Sequence, residues 1–456
     1  MRRLSLCLIA RDEETMLPGC LASVEGLVDE IVVVDTGSRD ATPHIARKAG
    51  ARVARITWND DFSAPRNEAL RLATGEFVLV LDADERLAPG SGPRLRAAVD
   101  RGTFDCGMVR LHNASRLDAS PSDVVAGRTR LGTAMLLPRV LRRTPDLRYS
   151  GIIHESVSEW VASRGMRVAP VEVDVIHLGA IPEVRAQRGK RDRNLTLLRR
   201  RCAAEPESIT PFGYLALELI STGELGEASE VVERGWGILG SQAADISVLR
   251  LAVARAIVAV ETDAPERALE AVARAELTDG AQPDLWHLRG RALVQLAFRA
   301  SGVERERALA EAEAAFRAAL ALAGRDGLRQ YVAGSSSWAS RNGVGEVMLS
   351  LERTADALLA FQQTLSECPE SPEARLGEVE ALLPMQPAMA LARVEHLLDE
   401  SPDGWLLAGA AALALGAVGD ARVLVAKAHA RRGKAFRTPR RAQLLSTMAG
   451  ELGVEG

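Results

Sequence analysis

Two carboxylates one residue apart, Asp82 and Asp84, follow the apolar run Glu76-Phe77-Val78-Leu79-Val80-Leu81. Carboxylates projecting from the end of a buried strand suit a hard divalent cation. Mg2+ and Mn2+ prefer oxygen, and often take one or two carboxylates plus a substrate's own phosphates. Such a cation neutralises charge that builds on a departing diphosphate. A solvated acidic turn would produce the same triplet, so the motif needs company. It has some: residues 31–34 lead into Asp35-Thr36-Gly37-Ser38-Arg39-Asp40-Ala41-Thr42. An Asp at a strand end can present its carboxylate to a base or ribose, or it can merely help cap the helix that follows. Between the two motifs lies Phe62-Ser63-Ala64-Pro65-Arg66-Asn67-Glu68.

These residues need a scaffold, and the pattern around them supplies one. Residues 4–10, 30–34, 52–56 and 76–81 are short runs rich in Val, Ile and Leu, flanked by Gly or charge. They read as buried parallel strands. Helical stretches over 16–24, 41–49 and 64–73 alternate with them, which predicts a doubly wound α/β sheet. In such sheets ligands bind beyond the carboxyl ends of the strands, where Ala10, Asp35 and Asp82 stand.

Taken in order, the blocks at 5–14, 31–42, 64–69 and 74–86 resemble the successive signatures of family-2 glycosyltransferases. The resemblance covers roughly the first 180 residues. It implies the GT-A fold, an inverting transfer from a nucleotide-diphosphate sugar, by default a UDP-sugar, and Mg2+ or Mn2+. It also implies roles. Ala10 and Arg11, with Glu13 nearby, would line the nucleotide pocket, and Arg66 would lie close to it. Asp35 would contact the base or ribose, Asp82 the ribose or metal, and Asp84 would be the direct metal ligand. The block Tyr149-Ser150-Gly151-Ile152-Ile153-His154-Glu155 resembles a Gly-x-Ile-His-Glu element found in relatives that carry helical repeats. Inversion needs a general base for the acceptor's proton. Glu155 is the candidate; alternatively Glu155 pairs with a neighbouring Arg and His154 is the base. Val173-Asp174-Val175-Ile176-His177-Leu178-Gly179 resembles the late strand that returns a His to the metal in related enzymes, so His177 is a third candidate ligand. Residues 112–132 lack periodicity and read as a loop over the sugar or acceptor. One of the arginines that follow, Arg139, Arg142, Arg143 and Arg148, could pair with the diphosphate.

From about Glu183 the texture changes to Ala- and Leu-rich helical periodicity, so two domains are expected, 1–182 and 183–456. Corners preceding Ala228, Ala268, Ala308, Ala357 and Ala421 recur at gaps of 40, 40, 49 and 64 residues, the last wide enough for another unit near Met389-Ala390. Helical hairpins of the tetratricopeptide kind fit, although their ideal period is about 34 residues. Stacked hairpins leave a concave surface that grips a peptide or protein, which suggests acceptor selection, homodimer formation, or both. By resemblance, family-2 transferases with such repeats include enzymes that glycosylate ribosomally made peptides and others that build cell-surface polysaccharide.

The formal net charge of −4 gives no global basic signal for nucleic acid. Five scattered cysteines without a CxxC pair read as free thiols of a reducing, cytoplasmic compartment. The apolar run at 406–419 is too short to span a bilayer. Two other classes compete with the transferase. One is a scaffold that binds a nucleotide sugar without turnover. The other is a nucleotidyltransferase, which would want a Gly-rich basic loop after the first strand, where this chain has Ala10-Arg11-Asp12-Glu13-Glu14.

Overall fold

The computed structural model describes residues 1–187, 190–240, 246–325, 331–398, 401–431 and 438–454. It divides into two compact units, one built mainly on Met1–Glu218 and the other on Leu219–Ala323 and most of the chain beyond it. The texture change at Glu183 marks where strands stop, and the division after Glu218 marks where packing separates. Arg188, in the charged stretch that opens the helical half, lies outside the described residues.

The first unit holds an eight-stranded sheet: β1 (Leu4–Ala10), β2 (Glu30–Asp35), β3 (Arg52–Arg55), β4 (Phe77–Val80), β5 (Glu85–Leu87), β6 (Cys106–Asn113), β7 (Met135–Arg142) and β8 (Val168–His177), in the order β3-β2-β1-β4-β7-β6-β8-β5. β3, β2, β1 and β4 run parallel, as their apolar runs predict. Leu4, Leu6 and Leu8 point to one face, with Leu17, Leu95 and Val99; Cys7 points to the other, with Ala69 and Leu72. Helices cover both faces, so neither needs the polar alternation of a half-exposed strand. The other half of the sheet is mixed: β7 pairs antiparallel with β4 and β6, and β5 pairs antiparallel with β8. This is the curled mixed sheet of a GT-A-like fold. Helices α1 (Leu17–Ala22), α2 (Thr42–Lys48), α3 (Ser63–Leu72), α4 (Ser91–Arg101), α5 (Pro121–Val125), α6 (Ser158–Arg164), α7 (Pro182–Gln187), α8 (Lys190–Ala204) and α9 (Ile209–Thr222) connect and follow the strands. α5 lies inside the segment expected as a loop, started by Pro121 and by the Ser120 side chain, which accepts from the Asp123 N–H.

The second unit is helical: α10 (Leu225–Leu239), α11 (Ile246–Glu261), α12 (Pro265–Asp279), α13 (Pro283–Arg299), α14 (Gly302–Leu320), α15 (Trp338–Ser350), α16 (Thr354–Glu367), α17 (Pro372–Leu382), α18 (Pro387–Val394), α19 (Pro402–Ala414), α20 (Val418–Ala430) and α21 (Pro439–Leu452). Successive helices from α10 to α21 pack as neighbours, and every second one from α11 to α21 also touches the next. The extra unit expected near Met389 is α18. Phe316 on α14 wedges between α13 and α15 because Gly290 and Gly343 leave room; a Cβ there would come within 2.7 and 2.5 Å of its ring. No helix among the described residues is long and apolar enough to cross a membrane. No disulfide joins any of the five cysteines, all of which lie among the described residues.

Candidate active site

The parallel register places Ala10 opposite Asp35, so the ends of β1 and β2 form one rim. The Ala10 carbonyl accepts from the Thr36 N–H at 3.0 Å. Asp35 is 1% exposed, and its Oδ1 accepts from the Ser38 N–H at 3.0 Å. That bond closes the turn at Ser38 and does not cap the helix, which starts at Thr42 with Ala41 at its N-cap. The second oxygen is different: Oδ2 is buried, accepts no hydrogen bond, and stands 3.4 Å from Arg55 Nε. A buried acceptor of this kind costs free energy until a donor arrives, and a ribose hydroxyl or base N–H would supply one. The loop after β1 is stitched to the loop after β2. The Glu13 N–H donates to Thr42 Oγ1 (2.7 Å), and the Arg39 N–H donates to the Asp12 carboxylate (2.7 Å). Arg11 is exposed, with Asp12 3.8 Å from its Nε.

The acidic triplet leaves β4 and runs into β5, which lies antiparallel on β8 with Glu85 opposite His177. Leu178 N–H donates to the Asp84 carbonyl at 3.0 Å. This pairing sets His177 Nε2 at 3.7 Å from Asp84 Oδ1. The other ring nitrogen, Nδ1, is 2.8 Å from Asn113 Oδ1, an acceptor, so Nδ1 carries a proton and Nε2 is the ring nitrogen that faces Asp84. An outer hydrogen bond that fixes the tautomer in this way is the usual support of a metal-binding imidazole. Gly179 lets both groups pack directly against its backbone: a Cβ there would meet Asp84 Oδ2 at 2.0 Å and His177 Nε2 at 2.8 Å. Among the described residues, no cluster of three or more His, Cys, Asp or Glu stands close enough to hold a metal. A carboxylate oxygen and an imidazole nitrogen 3.7 Å apart fit Mn2+ or Mg2+ provided that diphosphate oxygens complete the shell.

Asp82 faces elsewhere. Its Oδ1 pairs with Arg66 Nη2 at 2.8 Å and its Oδ2 with Arg139 Nη2 at 3.2 Å. Burial works against the charge on Asp82, but Arg66 and Arg139 outweigh it and hold the carboxyl well below the usual range. Arg66 continues the chain: its Nε donates to Glu155 Oε1 in a short ion pair. Arg139 likewise pairs closely with Glu85. Burial pushes Glu85 up to about 7, against the pull of Arg139 and with Asp82 and Asp84 adding to the rise. Arg66 and Arg139 each keep one buried donor without an acceptor, Nη1 and Nε respectively. Two such donors beside a proposed diphosphate site fit anionic oxygens.

The structure thus joins Asp82, Arg66 and Glu155 by direct bonds and sets Asp84 against His177. Ala10, Arg11, Glu13 and Asp35 form the separate rim at β1 and β2. His154 is exposed and its ring stacks on Tyr214, centroids 4.0 Å apart. The Arg that a paired Glu155 would need is Arg66, 89 residues away in sequence. Sequence reasoning missed Glu85, Asn113 and the packing role of Gly179. Glu85 adjoins the triplet, and Asn113 gives no sequence signal. Arg139 was one of several arginines; β6 passes from Val140 to Pro138 between Gly107 and Met108, so Arg139 is the extra residue of a bulge that re-aims it.

Residues 5–150 match the family model described as Glycosyl transferase family 2. A TPR repeat-containing protein of Synechococcus elongatus is 36% identical over 243 residues, covering 52% of this chain and 57% of that protein. An uncharacterized glycosyltransferase of Rickettsia typhi is 34% identical over 88 residues, 19% of this chain and 30% of that protein. The SPbeta prophage-derived glycosyltransferase SunS of Bacillus subtilis is 25% identical over 206 residues, 44% of this chain and 45% of that protein. The chain therefore spans between 30% and 57% of the length of these relatives. The strand ends that carry Asp35, Asp82 and Asp84 lie inside the stretch that matches the family-2 glycosyl transferase model, and tetratricopeptide-like helical pairs follow it in the same chain.

Proposed function

We propose that the chain is a metal-dependent, inverting glycosyltransferase that moves a sugar from a UDP-sugar to a peptide or protein held by the helical pairs. The observation that carries this reading is the direct chain Asp82–Arg66–Glu155, which links the carboxylate of the acidic triplet to the expected base. In the proposed complex Asp35 Oδ2 accepts from the base or ribose, and the rim at Ala10, Arg11 and Glu13 walls the nucleotide. Asp84 and His177 hold Mn2+ or Mg2+. A bound divalent cation offsets the charge that develops on the departing diphosphate. Arg66 Nη1 and Arg139 Nε donate to the same oxygens, in a site already dry enough to make those bonds strong.

Glu155 takes the proton from the acceptor's O–H or S–H as that atom attacks the anomeric carbon. The bond from the sugar to the diphosphate breaks on the opposite side, and the diphosphate leaves with the electron pair. Arg66 orients the Glu155 carboxylate through its ion pair, while the remaining lone pairs of Glu155 stay available for a proton. The substitution Glu155→Gln keeps shape but cannot accept a proton at neutral pH. Transfer is expected to slow by roughly two to four orders of magnitude with donor binding near normal. Transfer at the parental rate to a hydroxyl acceptor would remove Glu155 from the role. A cysteine acceptor, already partly thiolate, would depend on it less.

A further inference from the structure

Glu155 sits at the end of a segment held in an uncommon backbone shape. Gly151 has φ +93°, and His154, a non-glycine residue, has φ +50°. A left-handed non-glycine residue beside a working group persists only where its surroundings over-determine it. Ser150 and Ser156 exchange backbone hydrogen bonds of 3.0 Å each and close the neck of the segment. The Phe62 N–H donates to the Ile152 carbonyl at 2.9 Å.

The next two carbonyls are taken by one side chain. Arg201, on α8, donates from Nη1 to Ile153 O and to His154 O, the latter at 3.3 Å. Its guanidinium is itself oriented by Nε donating to Glu205 Oε1 at 2.9 Å, and the residue is 6% exposed. Gly151 is what lets it approach, because a Cβ there would lie 2.4 Å from Arg201 Cζ. The His154 ring, meanwhile, lies nearly coplanar on Tyr214 of α9, 3° from parallel.

We propose that Arg201 is a positioning residue for Glu155, so that α8, although beyond the family match at residue 150, is part of the catalytic apparatus. This rests on the reading of Glu155 as general base. The His154 carbonyl belongs to the peptide plane that leads into Glu155, so its anchor fixes the direction in which the carboxylate leaves the backbone. None of the bonds described for Arg201 reaches Asp35, Asp82, Asp84 or His177. The effect of losing it therefore falls on the base and not on donor affinity.

The test uses the full chain and a double-mutant cycle of Arg201→Ala and Glu155→Gln, with UDP-glucose and UDP-N-acetylglucosamine as donors, water as acceptor and Mn2+ present. Arg201→Ala is expected to lower kcat by about 100-fold, the scale of an ångström-sized misplacement, with the donor KM within about twofold. In the Glu155→Gln background it should cost nothing further, because the group it positions is already inert. Free guanidinium should restore part of the Arg201→Ala rate, and none in the double variant. An equal loss in both backgrounds, or a raised KM at unchanged kcat, overturns the proposal. Parental turnover by Glu155→Gln alone instead sinks the base reading, and is visible before any Arg201 variant is made. Hydrogen exchange at Ile152 to Ser156 is read whether or not either donor turns over. Faster exchange there in Arg201→Ala, in a chain otherwise as protected as the parent, is expected, and unchanged protection overturns the anchor. Should Arg201→Ala fail to fold, Arg201→Lys, which keeps the charge but loses the paired guanidinium donors, takes its place.

Discussion

Gly179→Ala disturbs the proposed metal site without removing a candidate ligand. Gly179 is absent from the positive-φ positions, so its backbone accepts alanine and only the added methyl matters. That methyl would lie 2.0 Å from Asp84 Oδ2 and 2.8 Å from His177 Nε2. Ordinary contact begins near 3.5 Å, so the Asp84 carboxylate must retreat by roughly 1.5 Å or the backbone must shift. Asp84 is 5% exposed and Asn113 holds the His177 ring, so neither group swings aside freely. Overpacking of this kind costs about 1–3 kcal/mol of stability. Metal sites tolerate about 0.2 Å in ligand distance, far less than the displacement required. Loss of a supporting partner alone weakens metal binding by about 10–100-fold, and a displaced ligand should reach at least the upper end of that range. The assay is calorimetric titration of Mn2+ in the presence of UDP, beside a thermal melt to show that the variant is folded. A folded Gly179→Ala chain that binds Mn2+ as tightly as the parent would refute the placement of the metal between Asp84 and His177.

Asp84→Ala, and chelator applied to the parent, should each abolish nearly all turnover; activity that persists in chelator argues for a metal-independent transferase. In the helical unit, burial pushes the Glu346 carboxyl on α15 up to about 7 from 4.5, against the pull of Arg441 and Arg291 and with Glu380 and Glu373 adding to the rise. Its folded pKa is raised, so the unfolded chain releases this proton first. Stability then falls by about 3 kcal/mol as pH rises from 4.5 to 7 and stays level above. Glu346→Gln should remove that fall, raising Tm relative to the parent at pH 8 but not at pH 4.5; an equal difference at both pH values would contradict the assignment. A fragment ending at Pro182 lacks Arg201 and Tyr214, whereas one ending at Gly223 keeps both. If both are soluble and bind UDP by calorimetry, only the longer should release UDP from a donor with water as acceptor, and equal rates would count against a catalytic role for α8.

The parallel half of the sheet was legible because both of its faces are buried. Runs such as Ile31-Val32-Val33-Val34 must then be apolar at every position, and each ends within a residue or two of where the pattern stops. The mixed half was less legible. β7 reads Met135-Leu136-Leu137-Pro138-Arg139-Val140-Leu141-Arg142, with a proline and two arginines, because it carries a bulge and supplies Arg139 to the site. Its pattern serves chemistry at one end and packing at the other, and periodicity cannot separate them. The candidate residues were found through contiguous motifs, while their partners were not. Arg66 reaches Glu155 across 89 residues, and His177 meets Asn113 across 64. Such pairings exist only after the strands are ordered, and nothing local encodes them.

The charge arrangement also shows why two aspartates of one triplet can take different work. The chain turns between β4 and β5, with the Glu85 N–H donating to the Asp82 carbonyl at 2.9 Å, and that turn aims Asp82 and Asp84 into different surroundings although a single alanine separates them. Asp82 spends both oxygens on guanidinium groups, one each from Arg66 and Arg139. A cation approaching Asp82 would have to enter between two positive charges, and each unit repulsion at about 4 Å is worth about 4 kcal/mol at an effective dielectric of 20. Asp84 instead faces an imidazole and the bare backbone of Gly179. Placing the metal at Asp84 and His177, and giving Asp82 to the arginines that would meet the diphosphate, avoids that repulsion. The same two arginines tie Glu155, the proposed base, and the buried Glu85 to the place where the leaving group would gather charge.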